Sequence, residues 1–258
     1  MHGPPMPAYG LWSIVPPMAG IVLLAVTYLL LTRHGVRPWS RWRTAAFLTG
    51  CVLLAAALLP PIAPFAHEDF RGHMLQHLLI GMYAPLALVS GAPITVLLRA
   101  LPVHHARRLT HVLRSRYLRP VTHPVTALIL STGGLAVLYF TPAYNAVAAR
   151  PDAHWLPHAH FLLSGCLFCW VIAGPDPAPA RPGLTARLVV LGVAVAAHAT
   201  IAQLMYGGFL IDVHGPITQV RGGAELMYYG GDIAELLLAA AAVTISRPAR
   251  RLVPVPVC

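Results

Sequence analysis

Charge is almost absent from long stretches of this chain, and that absence limits the folds open to it. Only 10% of its residues are Asp, Glu, Lys or Arg and 57% are hydrophobic, whereas soluble domains carry roughly 25% charge. The deficit runs along the whole length, so a single anchor attached to a soluble domain does not account for it. A helix needs about 20 apolar residues to cross the hydrocarbon core of a bilayer. Such runs fall at 12–32, 44–65, 72–98, 124–146, 154–174, 185–211 and 223–245. The expected fold is all-α: one integral-membrane domain over 1–258, a polytopic bundle of seven transmembrane helices. The third and sixth runs are long enough to tilt, and Pro85 and Pro93 predict kinks that neighbouring helices must accommodate.

The 18 basic residues are all arginine, and their placement orients the bundle. Arg33, Arg37, Arg41 and Arg43 follow the first run. Arg99, Arg107, Arg108, Arg114, Arg116 and Arg119 lie between the third and fourth. Arg181 lies before the sixth and Arg187 at its start, and Arg247, Arg250 and Arg251 follow the seventh. The other side has Arg71, Arg150 and Arg221. The positive-inside rule then puts the N-terminus outside and the C-terminus in the cytoplasm. The formal net charge of +10 is explained by these loops, so no nucleic-acid partner is expected. The stretch 99–123, with His104, His105 and His111, reads as a basic interfacial helix touching anionic lipid. Cys51, Cys166, Cys169 and Cys258 avoid the expected outer loops, which argues against a disulfide framework. The start, Met-His-Gly-Pro-Pro-Met-Pro, has no basic segment ahead of the first apolar run, so no cleavable signal peptide is expected. Residues 174–183, rich in proline, form a stiff connection that cannot continue a helix.

Histidines gather where two apolar runs begin. His73-Met-Leu-Gln-His77 opens the third run, and His154-Trp-Leu-Pro-His158-Ala-His160 opens the fifth. With the orientation above, both clusters lie at the outer side. Residues four apart share a helix face, so His73 pairs with His77 and His154 with His158, the latter stripe continuing through Cys166 and Cys169. His160 points elsewhere. On the sixth run His198, Met205 and Asp212 recur every seven residues, as do Glu225 and Asp232 on the seventh. Polar groups facing lipid are costly, so the economical packing turns these stripes toward one another.

Imidazole is the commonest protein metal ligand, and Met thioether or Cys thiol favours soft copper. The candidate ligands are His73, Met74, His77, His154, His158, His160 and His198, with Glu225, Asp232 and Met205 as supporting residues. Cys166 and Cys169 could be ligands, but lying deep and toward the cytoplasmic half they read rather as small packing residues. The expectation from these residues is a copper site. Two other readings compete. Histidines on facing helices can be axial ligands of a b-type haem. His and Asp could instead hold zinc for an intramembrane hydrolase, although no His-Glu-x-x-His motif is present. A retinal protein is excluded, because a Schiff base needs a lysine and the chain has none.

These residues resemble a family, the polytopic CtaG-type cytochrome c oxidase assembly factors. The resemblance rests on His73-Met-Leu-Gln-His77-Leu-Leu-Ile-Gly81, Ala84-Pro85-Leu86 and Gly91-Ala92-Pro93. It continues through His158-Ala-His160-Phe161, Gly165, Trp170 and Gly174-Pro-Asp176-Pro to Gly222-Gly223 and Gly230-Gly231-Asp232. It implies a multi-pass protein of the bacterial inner (plasma) membrane that serves haem–copper oxidase assembly at the copper step. It also implies oxidase subunits or another copper chaperone as partners, and functional positions at His73, His77, His158, His160 and Asp232. The resemblance further implies that the protein is non-enzymatic and holds the ion only transiently, in an open site.

Overall fold

Residues 11–34, 38–150, 155–178 and 181–246 are described by a computed structural model of the protein; His154 lies outside them. Among these residues all regular structure is helical. In chain order the helices are α1 (Leu11–Arg33), α2 (Arg41–Leu58), α3 (Ile62–Glu68), α4 (Phe70–Ser90), α5 (Pro93–Ala100), α6 (Val103–Leu113), α7 (Leu118–Val121), α8 (Pro124–Phe140), α9 (Ala143–Ala148), α10 (Trp155–Ala173), α11 (Leu184–Gly207) and α12 (Ile217–Ser246).

Five of these helices, α1, α2, α10, α11 and α12, are long and apolar enough to cross a membrane. The bent pair α4–α5 makes a sixth crossing element if it is one span, with a bend of 40°. The helix α8 is apolar but falls in the shorter class of 10–17 residues. Three expected runs therefore end differently from their hydropathy. The second stops at Leu58, because Pro60 and Pro61 interrupt the backbone ladder and start a separate short helix. The third breaks at Gly91-Ala92, where Ala92 adopts φ 53° and Pro93 opens a new helix. The fourth ends at Phe140 rather than 146.

The helices form an inside-out solvent pattern. Leu236 is 70% exposed, Leu163 69% and Val189 62%, as side chains facing lipid would be. Smaller residues line the contacts between helices. A Cβ on Gly165 of α10 would run into the Gly81 carbonyl of α4 and lie 2.9 Å from Pro85 Cγ, so this crossing requires glycine. The helix α12 packs on α11 and on the first half of α4, while α2 packs along the second half of α4 and α1 along α5.

Two turns of π-helix interrupt the bundle, Leu79–Tyr83 in α4 and Ile129–Gly133 in α8. Pro85, just beyond the first, has no N–H to close a bond back to Gly81, which frees the wider turn. One apolar cluster (Phe70, Met74, Tyr139, Met205, Met227) fills the His73 end of the bundle. Another (Phe168, Ile172, Leu191, Leu238) fills the end that carries Asp176.

The Asp176 end is braced by polar groups. Asp176, 1% exposed, caps α5 from a distance: its carboxylate accepts from Ile94 N at 3.0 Å, Thr95 N at 2.7 Å and Thr95 Oγ1 at 2.5 Å. Arg181 Nη2 donates to the Trp170 and Asp176 carbonyls, each at 2.9 Å. Buried Arg187 donates to Ile172 O at 2.6 Å and Ser246 Oγ at 2.7 Å. Asp176, just beyond α10, is thus the cap of a neighbouring helix.

Candidate functional site at the centre of the bundle

Between the two apolar clusters lies a cavity of about 40 Å³ walled by α4, α8, α10, α11 and α12. Its polar lining is His77, His198, Glu235, Ser131, Thr132 and Cys169. Both π-turns contribute, through Gly81 and Met82 on one side and Ser131 and Thr132 on the other, consistent with the frequent placement of π-turns at functional sites.

Three of these groups are buried without a hydrogen-bond partner. Nδ1 of His77, both ring nitrogens of His198, and Oε2 of Glu235 are orphaned, with the residues 6%, 3% and 5% exposed. Leaving a buried polar group unsatisfied costs roughly 1–3 kcal/mol, so such groups commonly face water, an ion or a ligand. The cavity exceeds the roughly 10–15 Å³ that one water needs. No arginine is among its lining residues.

Glycines shape the cavity. A Cβ on Gly231 of α12 would stand 2.5 Å from Nδ1 of His198, so the missing side chain is the slot in which that ring sits. A Cβ on Gly81 would lie 3.3 Å from Cε1 of His77. Phe161 meets the His77 ring edge-on with centroids 4.5 Å apart.

The other histidines have protein partners. His73 Nε2 lies 3.1 Å from the hydroxyl of fully buried Tyr139, and its ring packs on Phe70 and Tyr144. His158 Nε2 lies 3.1 Å from Gln76 Oε1, and Gln76 donates to Ala57 O at 2.8 Å, which ties α2, α4 and α10 together. His160 is exposed and turned away from the cavity, as its helical phase predicts; its Nε2 lies 3.0 Å from Leu130 O in the π-turn of α8. The helices of the two histidine clusters are neighbours: α10 packs along α4, and His158 meets Gln76, the residue before His77. Among the described residues, however, no three His, Cys, Asp or Glu side chains stand together as a metal-holding group.

Several supporting positions fall elsewhere than expected. The helix α11 ends at Gly207, and Gly208 takes φ 73°, so Asp212 leaves the His198–Met205 stripe. Asp212 sits in the following loop, where its backbone N–H donates to Tyr139 O at 3.0 Å and its backbone carbonyl accepts from Asn145 Nδ2 at 2.7 Å. Glu225 is exposed on α12 and Asp232 half-buried, while the carboxylate that reaches the cavity is Glu235. Met74 and Met205 are fully buried among aromatic and aliphatic side chains of the His73-end cluster. Sequence reasoning missed Glu235 and Gln76. The i,i+3 spacing of Asp232 and Glu235, deep in an apolar run, was the available signal for the first.

Membrane-length helices closed round a small, mostly apolar cavity with buried histidines on its wall define a class: a polytopic helical membrane protein. The chain belongs to the cytochrome c oxidase caa3 assembly factor family (Caa3_CtaG), whose model matches residues 22–247. That range includes every helix that walls the cavity. Uncharacterized proteins of Mycobacterium bovis and Mycobacterium leprae are 34% and 32% identical to it over 191 residues. The alignment covers 70% of this chain but 29% of each relative, so the chain spans less than a third of the length of those proteins. No solved structure matches it.

Proposed function

We propose that this protein assists haem–copper oxidase assembly as a non-catalytic, multi-pass protein of the bacterial plasma membrane that holds copper transiently. Seven spans are the reading that best fits the arginines, with α4–α5 as one bent span and α8 as a short one. The N-terminus is then outside, the C-terminus is cytoplasmic, and the His73 end of the bundle faces outward. Oxidase subunits or another copper chaperone are the partners. The observation that carries the copper reading is the pair of buried histidines, His77 and His198, which both line one cavity and both keep a ring nitrogen without a hydrogen-bond partner. Met82 and Cys169 bring soft sulfur to the same wall, a donor set suited to copper. Of the wider ligand set, His73, His158 and His160 act in this proposal through Tyr139, Gln76 and α8. Met74 and Met205 pack the core beside them, and His154 lies outside the described residues. A cavity of about 40 Å³ takes an ion or a few waters and leaves no room for a haem macrocycle.

Deletion of the gene tests the reading. Oxidase activity and the copper content of the oxidase are expected to fall, and a wild-type copy to restore both, with added copper giving partial rescue. A deletion strain with full oxidase activity would end the assembly role.

A further inference from the structure

The basic stretch 99–123 folds into a helix that the bundle leaves uncovered. No residue of α6 is buried, and its main contact is with α5. Its sides are nevertheless sorted: Ala106, Leu109, Thr110 and Leu113 are half-buried, while His104, His105, Arg108 and His111 are exposed. A helix with one apolar side and one basic side suits a bilayer interface. Between α5 and α6 runs a groove of about 450 Å³, within the roughly 300–1,000 Å³ of small-molecule sites. Leu98, Leu101, Val103 and Ala106 give it an apolar wall, Arg99 and Arg107 give it charge, and no carboxylate lines it. Arg99 is held in place. Its guanidinium lies 5.0 Å from the centroid of the Trp39 ring. The Trp39 indole N–H donates to the Tyr28 hydroxyl at 3.0 Å, which donates in turn to the Gly91 carbonyl at 2.8 Å. Trp42, at the start of α2, is 83% exposed, and Tyr117, just after α6, is 72% exposed, as rings at the level of lipid headgroups are.

We propose that the groove between α5 and α6 is a headgroup site for one anionic phospholipid, with Arg99 and Arg107 facing its phosphate and an acyl chain lying over Leu98, Leu101 and Val103. Charge and shape both select this occupant. A zwitterionic lipid carries the same phosphate, but its ammonium group brings a further positive charge to a groove that has two arginines and no carboxylate. A soluble phosphate would engage the arginines and leave the apolar wall against water. Basic pockets beside membrane helices bind anionic headgroups on the same grounds. The inference stands apart from the copper reading, and it narrows the expected contact of 99–123 with lipid to one groove and two arginines. A lipid held there pins α6 to the end of α5, the helix whose beginning Asp176 caps.

Delipidated full-length protein in a non-ionic detergent is titrated with phosphatidylglycerol and, in parallel, with phosphatidylcholine, and bound lipid is counted by native mass spectrometry. The expected result is one phosphatidylglycerol per chain, held at least about 10-fold more tightly than phosphatidylcholine. Arg99→Gln and Arg107→Gln should each weaken phosphatidylglycerol about 5-fold and leave phosphatidylcholine unchanged. Arg221→Gln, on α12 and away from the groove lining, should change neither. Arg107 is exposed, so its variant carries the test even if loss of the Trp39 contact unsettles Arg99→Gln. Hydrogen exchange over residues 103–113 should slow with phosphatidylglycerol and not with phosphatidylcholine. Equal binding of the two lipids, or phosphatidylglycerol binding unmoved by Arg107→Gln, overturns the proposal. Displacement of the lipid by an equal concentration of glycerol phosphate overturns it in favour of a soluble phosphate. A polypeptide that co-purifies with the wild type, excludes phosphatidylglycerol and is lost from Arg107→Gln overturns it in favour of a protein occupant.

Discussion

Single atoms decide how the cavity is made. Gly231 has no Cβ where the His198 ring lies, and Gly134 has none against the ring of His160. Gly231→Ala should lower stability by about 1–3 kcal/mol through overpacking, measured by thermal unfolding in detergent, and should displace His198 from the cavity. Asp69 gives a pH-dependent prediction outside the spans. Its carboxylate accepts from Arg71 Nη2 at 2.6 Å and from Arg71 N at 2.8 Å as it caps α4. The Arg71 side-chain hydrogen bond, first among the causes, holds the Asp69 carboxyl below its usual range. A lowered folded pKa means that the contribution is complete above the ordinary carboxylate value of about 4 and is lost as pH falls through the lowered one. Asp69→Asn should therefore cost stability at neutral pH and lose part of its acid dependence, read from unfolding midpoints between neutral and acidic buffers. At this scale the sequence was legible for histidines and less so for what holds them. The phase of His160 was readable from spacing, whereas Tyr139 and Gln76 meet their histidines across 66 and 82 residues of sequence, beyond any local pattern.

The elements add constraints that hydropathy does not carry. Apolar content located α1, α10 and α11 to within a few residues, because lipid and packing demand it of every position, but it overran the end of α2 and missed the first turns of α12. It did not reveal where the runs break: Pro60-Pro61, Gly91-Ala92 and Gly208 are backbone events inside continuous apolar text. The break at Ala92 is stable because Asp176 reaches across 81 and 82 residues to satisfy the exposed amides of α5. Asp176→Ala removes three hydrogen bonds from a buried cap, and the expected loss is roughly 2–4 kcal/mol, measurable as a lowered unfolding midpoint. Asp176→Asn, which keeps an acceptor oxygen, should lose less. The crossing of α4 and α10 is as strict, since Gly165→Ala sets a methyl against backbone that cannot rotate away. It should cost more than Gly192→Ala, whose Cβ would meet nothing within 4 Å.

For the whole molecule, orientation is the property most open to a direct test. Periplasmic-reporter fusions placed near residue 115 should be inactive and those near residue 148 active if the N-terminus is outside; the reverse pattern would place the N-terminus in the cytoplasm. The bundle also has a history in time. The cavity draws His77 from α4 and Glu235 from α12, with the intervening chain made between them. At about 5–20 residues per second of synthesis, His77 waits on the order of 10–30 s for the helix that carries Glu235 and the slot at Gly231. A nascent chain halted before α12 would hold both histidines and no closed chamber. The cavity is therefore closed only after α12 has been made, later than any of the other helices that wall it.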